Sequence, residues 1–126
     1  MTMNVAARRF ANALVLHASG RLDQDTCEAF RTDLTGHVDT AVRDRAALVL
    51  DLSDLEYVSS AGLRCLLIAS RQMKAAKGRI SVAQMQPMVA EIFEISHFDM
   101  LFDVYPTVPE ALAAVSADAA AAYSTR

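Results

Sequence analysis

The sequence predicts an α/β domain built on a mixed, mostly parallel β-sheet, and three observations predict it. Two short strand-like stretches open the chain, two residues apart. Strand and helix patterns then alternate to the end. The stretch "AALVLDL" (Ala46 to Leu52) is apolar on both faces, as a central strand covered by helices must be.

Asn4 to Phe10 and Ala13 to Ala18 are the first two strands, with Ala11-Asn12 between them as the tight turn of an antiparallel hairpin. "SGRLDQDT" follows with turn chemistry, Gly20 for the bend and Asp25 as a helix N-cap. Cys27, Phe30, Leu34 and Val38 recur at helical spacing, with Glu28, Arg31 and Asp33 between them, which predicts an amphipathic helix of about four turns. "RDR" (Arg43 to Arg45) connects it to the central strand. "SDLEYV" then leads into a double serine, Ser59-Ser60. Leu63, Leu66, Leu67 and Ser70 fall at i, i+3, i+4 and i+7, with Arg64, Arg71 and Lys74 facing outward, and Lys77-Gly78 ends this second helix with a basic last turn and a glycine stop.

"RISVAQM" (Arg79 to Met85) is the next strand. Pro87 opens a third helix that carries Val89, Ile92 and Phe93 on one face. "FDVYP" is a short strand, and "TVPEALAAV" is a last helix with Val108, Ala111, Leu112 and Val115 inward. The Ala-rich tail from Ser116 extends that helix or frays. The predicted order is β-β-α-β-α-β-α-β-α, about four helices on one sheet. Residues 1–126 form one domain, with 116–126 as a helical extension or flexible tail.

A chain of 126 residues fits one domain that needs no staples. Its formal net charge of −3, without a Lys/Arg cluster, argues against nonspecific nucleic-acid binding. The N-terminal apolar stretch is broken by Arg, Asn and His, so it predicts neither a signal peptide nor a membrane span. Cys27 and Cys65 lack metal-ligand spacing and are expected as reduced, small packing residues of a cytoplasmic protein. His17, His37 and His97 are scattered singles. The six methionines are expected mainly as core fillers, those left exposed forming an adaptable contact patch. No P-loop, dinucleotide glycine fingerprint, nucleophile elbow or metal-ligand spacing is present, so the sequence offers no enzyme motif.

"LVLDLSDLEYVSSAGLRCLL" (Leu48 to Leu67) resembles the signature stretch of STAS domains, the family of bacterial anti-sigma factor antagonists and of the cytosolic tails of sulfate transporters. "GRLDQDT" resembles the family's turn before the first helix, and "GRISVAQMQPMVAEIFEISHFDMLFDVYPTVPEAL" its last two strand–helix units. The resemblance covers nearly everything up to about Val115. It implies a single STAS domain and a function as an anti-sigma factor antagonist. Such a protein binds an anti-sigma factor that is also a serine kinase of the ATPase-kinase type, and is released when its own serine is phosphorylated. Aligned on Gly62-Leu63, that serine is Ser60. Ser59 stands where the family usually has Asp, and Ala61 where it has Ser or Thr, which leaves Ser59 as the alternative acceptor.

The resemblance implies a docking rim of Asp23, Thr26, Ser59, Ser60, Ala61, Gly62 and Arg64. It implies no cofactor of the domain's own, since ATP and magnesium belong to the partner kinase. A serine phosphatase restores the binding form, and the chain is a monomer or weak homodimer with no direct nucleic-acid or membrane contact. The residues themselves fit a modifiable serine. A helix N-terminus offers unpaired N–H groups and the positive end of the helix dipole, so a phosphate is tolerated there. Capping is the competing explanation for both hydroxyls. The competing function is a non-switching scaffold, as in STAS subunits of lipid-transport ABC complexes or stressosome-like assemblies.

Overall fold

Four strands that run the same way and lie side by side in chain order leave one place for the helices between them. A β-α-β crossover is right-handed, so successive crossovers that step in one direction all fall on the same face of the sheet. The computed structural model, which describes residues 3–126, has this form. Its five strands are β1 (Met3–Phe10), β2 (Ala13–Leu22), β3 (Ala47–Val58), β4 (Ile80–Ala83) and β5 (Asp103–Tyr105), in the order β1-β2-β3-β4-β5. β1 is antiparallel to β2 and every other pair is parallel. Helices α1 (Cys27–Asp44), α2 (Ser60–Ala75) and α3 (Pro87–Ile95) cover one face. There Phe30, Leu34, Leu66, Met73, Val89 and Phe93 meet Leu16, Leu48, Leu50 and Val82. The predicted mixed sheet with its opening hairpin is therefore the observed one.

The other face is covered by α4 (Val108–Val115) and α5 (Ala117–Ser124), where Ala111, Leu112 and Ala119 close over Phe10, Val15, Val49 and Ala83. The tail neither extends α4 nor frays. Ser116 takes an extended conformation (φ −164°, ψ 128°), and its hydroxyl accepts a hydrogen bond from Ala119 N at 3.2 Å, which starts a fifth helix. α5 lies back against β1, with the Tyr123 ring edge-on to Phe10 at 5.0 Å. Ser81 on β4 faces this second core. It is 4 % exposed, and its hydroxyl has no hydrogen-bond partner among the described residues. Because an unsatisfied buried hydroxyl keeps its desolvation cost, Ser81→Ala is expected to raise the unfolding free energy by about 1 kcal/mol. Urea denaturation measures this, and a loss of stability would contradict it.

Two strands run further than expected. β2 continues through Gly20 to Leu22, and β3 continues through "SDLEYV" to Val58. Their pairing slips twice, between His17/Ser19 and between Gly20/Arg21, and each slip adds one residue to β3. These are β-bulges, and Gly20 (φ 111°) sits at the second rather than in a turn. The bulges change the inward period: Leu48, Leu50 and Leu52 are two apart, whereas Leu52, Leu55 and Val58 are three apart, and all five face the α1–α3 core. Gln86 Nε2 donates to the bulge carbonyl of Ser53 at 2.9 Å. Gln84, left-handed at φ 61°, donates from Nε2 to Asp51 Oδ1 at 3.3 Å and accepts at Oε1 from Val108 N at 3.0 Å. The bulged strand is thereby tied to the loop before α3 and to the start of α4.

Candidate functional site

β3 ends at Val58 beside the end of β2, and the chain turns directly into α2. Ser59 fixes the turn. Its N–H donates to Leu22 O at 2.8 Å, its backbone is extended (φ −89°, ψ 174°), and its Oγ accepts from Gly62 N at 3.2 Å. That is the geometry of an N-cap, which satisfies one of the helix's orphan donors. Ser60 is the first residue of α2 and is exposed. No hydrogen bond holds its hydroxyl among the described residues. The two hydroxyls therefore have different work: one closes the helix and the other is free. Ser59→Ala is expected to lower stability by about 1 kcal/mol and Ser60→Ala to leave it within about 0.5 kcal/mol. Thermal denaturation of the pair separates them; equal losses would remove the distinction.

Gly62 is closely approached from within its own chain. It is buried, and a Cβ placed there would lie 2.6 Å from Leu22 Cγ, 2.9 Å from Leu22 Cδ2 and 3.0 Å from Val58 Cγ2. The first turn of α2 thus sits directly on the ends of β2 and β3, which holds Ser60 at the rim of the sheet.

α1 begins in the same place with a different cap from the one expected. Asp23, not Asp25, organises it: Asp23 Oδ1 accepts from Asp25 N at 3.0 Å and from Thr26 N at 3.2 Å. Thr26 Oγ1 accepts from Asp23 N at 3.0 Å and donates to Arg21 O at 2.8 Å. This reciprocal Asp-x-x-Thr pair is a variant of the capping box. Thr26 is only 8 % exposed, so its side chain belongs to the turn. Cys65 packs its thiol 3.7 Å from the Cys27 carbonyl, joining the first turns of α1 and α2. Burial, with Cys27 adding to it, pushes the Cys65 thiol pKa up and keeps it protonated. Asp23, Thr26, Ser59, Ser60, Ala61, Gly62 and Arg64 thus gather at the carboxyl ends of β2 and β3, where open α/β sheets bind their ligands. Ser60 and Arg64 are exposed, Asp23, Ser59 and Ala61 half-buried, Thr26 and Gly62 buried.

One pair beside the site was not legible beforehand. Arg21 and Tyr57 face each other across β2 and β3, with the guanidinium 4.5 Å over the ring. Only the bulged register brings them together, and no sequence signal carries it. The expected methionine patch is partial: Met73 is fully buried, while Met88 on α3 and Met100 in the short 3₁₀ turn Phe98–Met100 are exposed. Among the described residues no cluster of three His, Cys, Asp or Glu side chains could hold a metal ion, and no helix is long and apolar enough to cross a membrane.

A family model described as "STAS domain" matches residues 4–111. The Bordetella bronchiseptica protein BtrV, which its name assigns provisionally to the anti-sigma factor antagonists, is 32 % identical over 102 residues, covering 81 % of this chain and 85 % of its own. The crystal structure of an anti-sigma factor antagonist from Mycobacterium paratuberculosis superposes with a TM-score of 0.76 at 27 % identity, covering 90 % of this chain and 93 % of that one. The Bacillus protein SpoIIAA in its phosphorylated form shares the fold, with a TM-score of 0.65 at 21 % identity over 90 % of this chain and all of that one.

Proposed function

The chain belongs to the STAS domain family, and we propose that it works as an anti-sigma factor antagonist whose hold on its partner is switched by phosphorylation of Ser60. The observation that carries this reading is the division between the two serines. Ser59 Oγ is bound to Gly62 N, while the Ser60 hydroxyl is exposed and uncommitted. A kinase can reach Ser60 without opening the helix cap.

The electrostatics around Ser60 support a switch that needs no refolding. A phosphate on the first residue of α2 meets the unpaired N–H groups and positive dipole end of that helix, so the domain tolerates it. Near it lie the exposed Asp25, in the turn before α1, Glu28 in the first turn of α1, and Arg64 one turn along α2. Glu28 is held ionised, its pKa lowered by the hydrogen bond and charge of Arg31. Phosphate adds about −1.5 to −2 charges to the rim and several hydration bonds that docking would have to strip.

In this reading the partner is an anti-sigma factor that is also a serine kinase of the ATPase-kinase type, and ATP and magnesium are bound by that partner. A separate serine phosphatase returns Ser60 to its hydroxyl. The domain acts in the cytoplasm as a monomer or weak homodimer, as kinase substrate and binding module, and touches no nucleic acid itself. Incubation with the cognate kinase and ATP, followed by mapping of the modified peptide by mass spectrometry, tests it. One phosphate on Ser60 is expected. A phosphate on Ser59, or none, would overturn the assignment. Recovery of a membrane permease rather than a kinase on this domain would favour the scaffold role instead.

A further inference from the structure

The opposite end of the molecule, about 24 Å along α2 from Ser60 by the helical rise, holds a cleft of about 490 Å³. It opens where α1, α2 and α4 end and where the β1–β2 turn passes beneath them. Its floor is apolar, made by Ala41, Ala46, Met73 and Val115, and Arg45, Lys77 and Arg79 stand on its walls. A volume within the range of small-molecule sites, with an apolar floor and a few convergent polar groups, is the usual form of such a site.

Basic residues at helix C-termini complement the helix dipole, which explains a positive charge there. It does not explain the backbone. Arg45 (φ 54°) and Lys77 (φ 61°) both take the left-handed conformation that closes α1 and α2, with their N–H groups turned back to Val42 O and Lys74 O. Glycine or asparagine is the ordinary residue there, and a β-carbon in that conformation costs roughly 1–2 kcal/mol. In both helices the position holds a long cation instead, and both cations line the same cleft.

The neighbouring charges leave those two cations free. Asp44, next to Arg45, is taken by Arg9 at 2.6 Å and Arg43 at 3.1 Å. Asp103 is taken by Arg79 at 3.4 Å, and Arg79 also donates from Nη1 to Ala114 O at 3.0 Å, which fixes its guanidinium at the rim. Arg45 and Lys77 form no ion pair among the described residues. We infer that this cleft binds an amphipathic organic anion, its carboxylate or comparable acid group held between Arg45 and Lys77 and its apolar body laid on Met73 and the alanines.

The test titrates octanoate into the full chain and follows backbone amide resonances by NMR. Saturable shifts centred on Arg45, Lys77 and Gly78 are expected. Acetate, which has the charge without the body, and octan-1-ol, which has the body without the charge, should each bind at least tenfold more weakly. The Arg45→Gln/Lys77→Gln double variant changes only exposed side-chain ends. It should stay folded, with a melting temperature lowered by no more than a few degrees from the lost dipole contacts, and lose octanoate affinity at least tenfold. Absence of binding, equal affinity in the double variant, or shifts centred on the exposed Met88, Ile95 and Met100 would overturn the assignment.

Discussion

Ser60→Asp is expected to weaken binding to the anti-sigma factor partner by about 10- to 100-fold while leaving the domain as stable as before or slightly more so. The two effects have opposite signs because they arise on opposite sides of one side chain. Toward the protein, a carboxylate on the first residue of α2 meets the positive end of that helix, worth about 0.3–1 kcal/mol. Toward the partner, the same charge sits on the docking face, where misplaced charge at an interface costs from one to several kcal/mol. Ser60→Ala removes the acceptor without adding charge. It should bind as well as the unmodified protein and stay bound when ATP is supplied. Calorimetric titration of the three forms against the partner, with a thermal melt of each, is the measurement. Undiminished affinity of Ser60→Asp would sink the switch, and a large loss of melting temperature would show that Ser60 is part of the fold instead.

Gly62→Ala is expected to destabilise the domain by up to about 2 kcal/mol, although it replaces the poorest ordinary helix former with the best. Helix propensity alone would gain about 1 kcal/mol. The new methyl, however, lands 2.6 Å from Leu22 Cγ and 3.0 Å from Val58 Cγ2. Leu22 is fully buried and cannot swing aside. Overpacking of this kind costs about 1–3 kcal/mol, which at least cancels the propensity. Leu22→Ala alone opens a cavity and should cost about 2–5 kcal/mol. In the double variant the methyl added at position 62 sits in the space Leu22 has left, so the combined loss should fall short of the sum by about 1 kcal/mol or more. Denaturant unfolding of all four forms gives the coupling. Strict additivity would mean that Gly62 and Leu22 do not press on one another.

The architecture was legible because its cues are periodic. The apolar run at the centre of β3 and the i, i+3, i+4 stripes of α1 and α2 each state a period, and the sheet with helices follows. Boundaries were lost where a period changes. In the sequence β3 reads as ending at Leu52 because Ser53 and Asp54 break the alternation, yet that break is a bulge and the strand resumes with Leu55 facing inward. Gly20 reads as a bend because glycine marks turns more often than bulges. Asp25 reads as the cap because it stands nearer the apolar stripe, whereas the Asp23-x-x-Thr26 spacing held the true one. At the site the double serine was visible at once. Which serine closes the helix depends on a one-residue difference in where α2 begins, and that is set by Ser59 N reaching Leu22 O across the strand ends.

The division of the core between two faces also imposes an order on the chain as it is made. Every partner of the α1–α3 side has left the ribosome once Phe102 has, so that side can close early. Phe10, Val15, Val49 and Ala83 on the other side have no cover until Val108 to Tyr123 arrive. For that interval a nascent sheet shows a bare apolar face, the kind of transient surface that chaperones hold and that aggregates when they do not. Thr107 and Ser116 each close the first turn of the helix that follows, Oγ1 on Glu110 N and Oγ on Ala119 N, both at 3.2 Å. Each late helix therefore carries its own start signal.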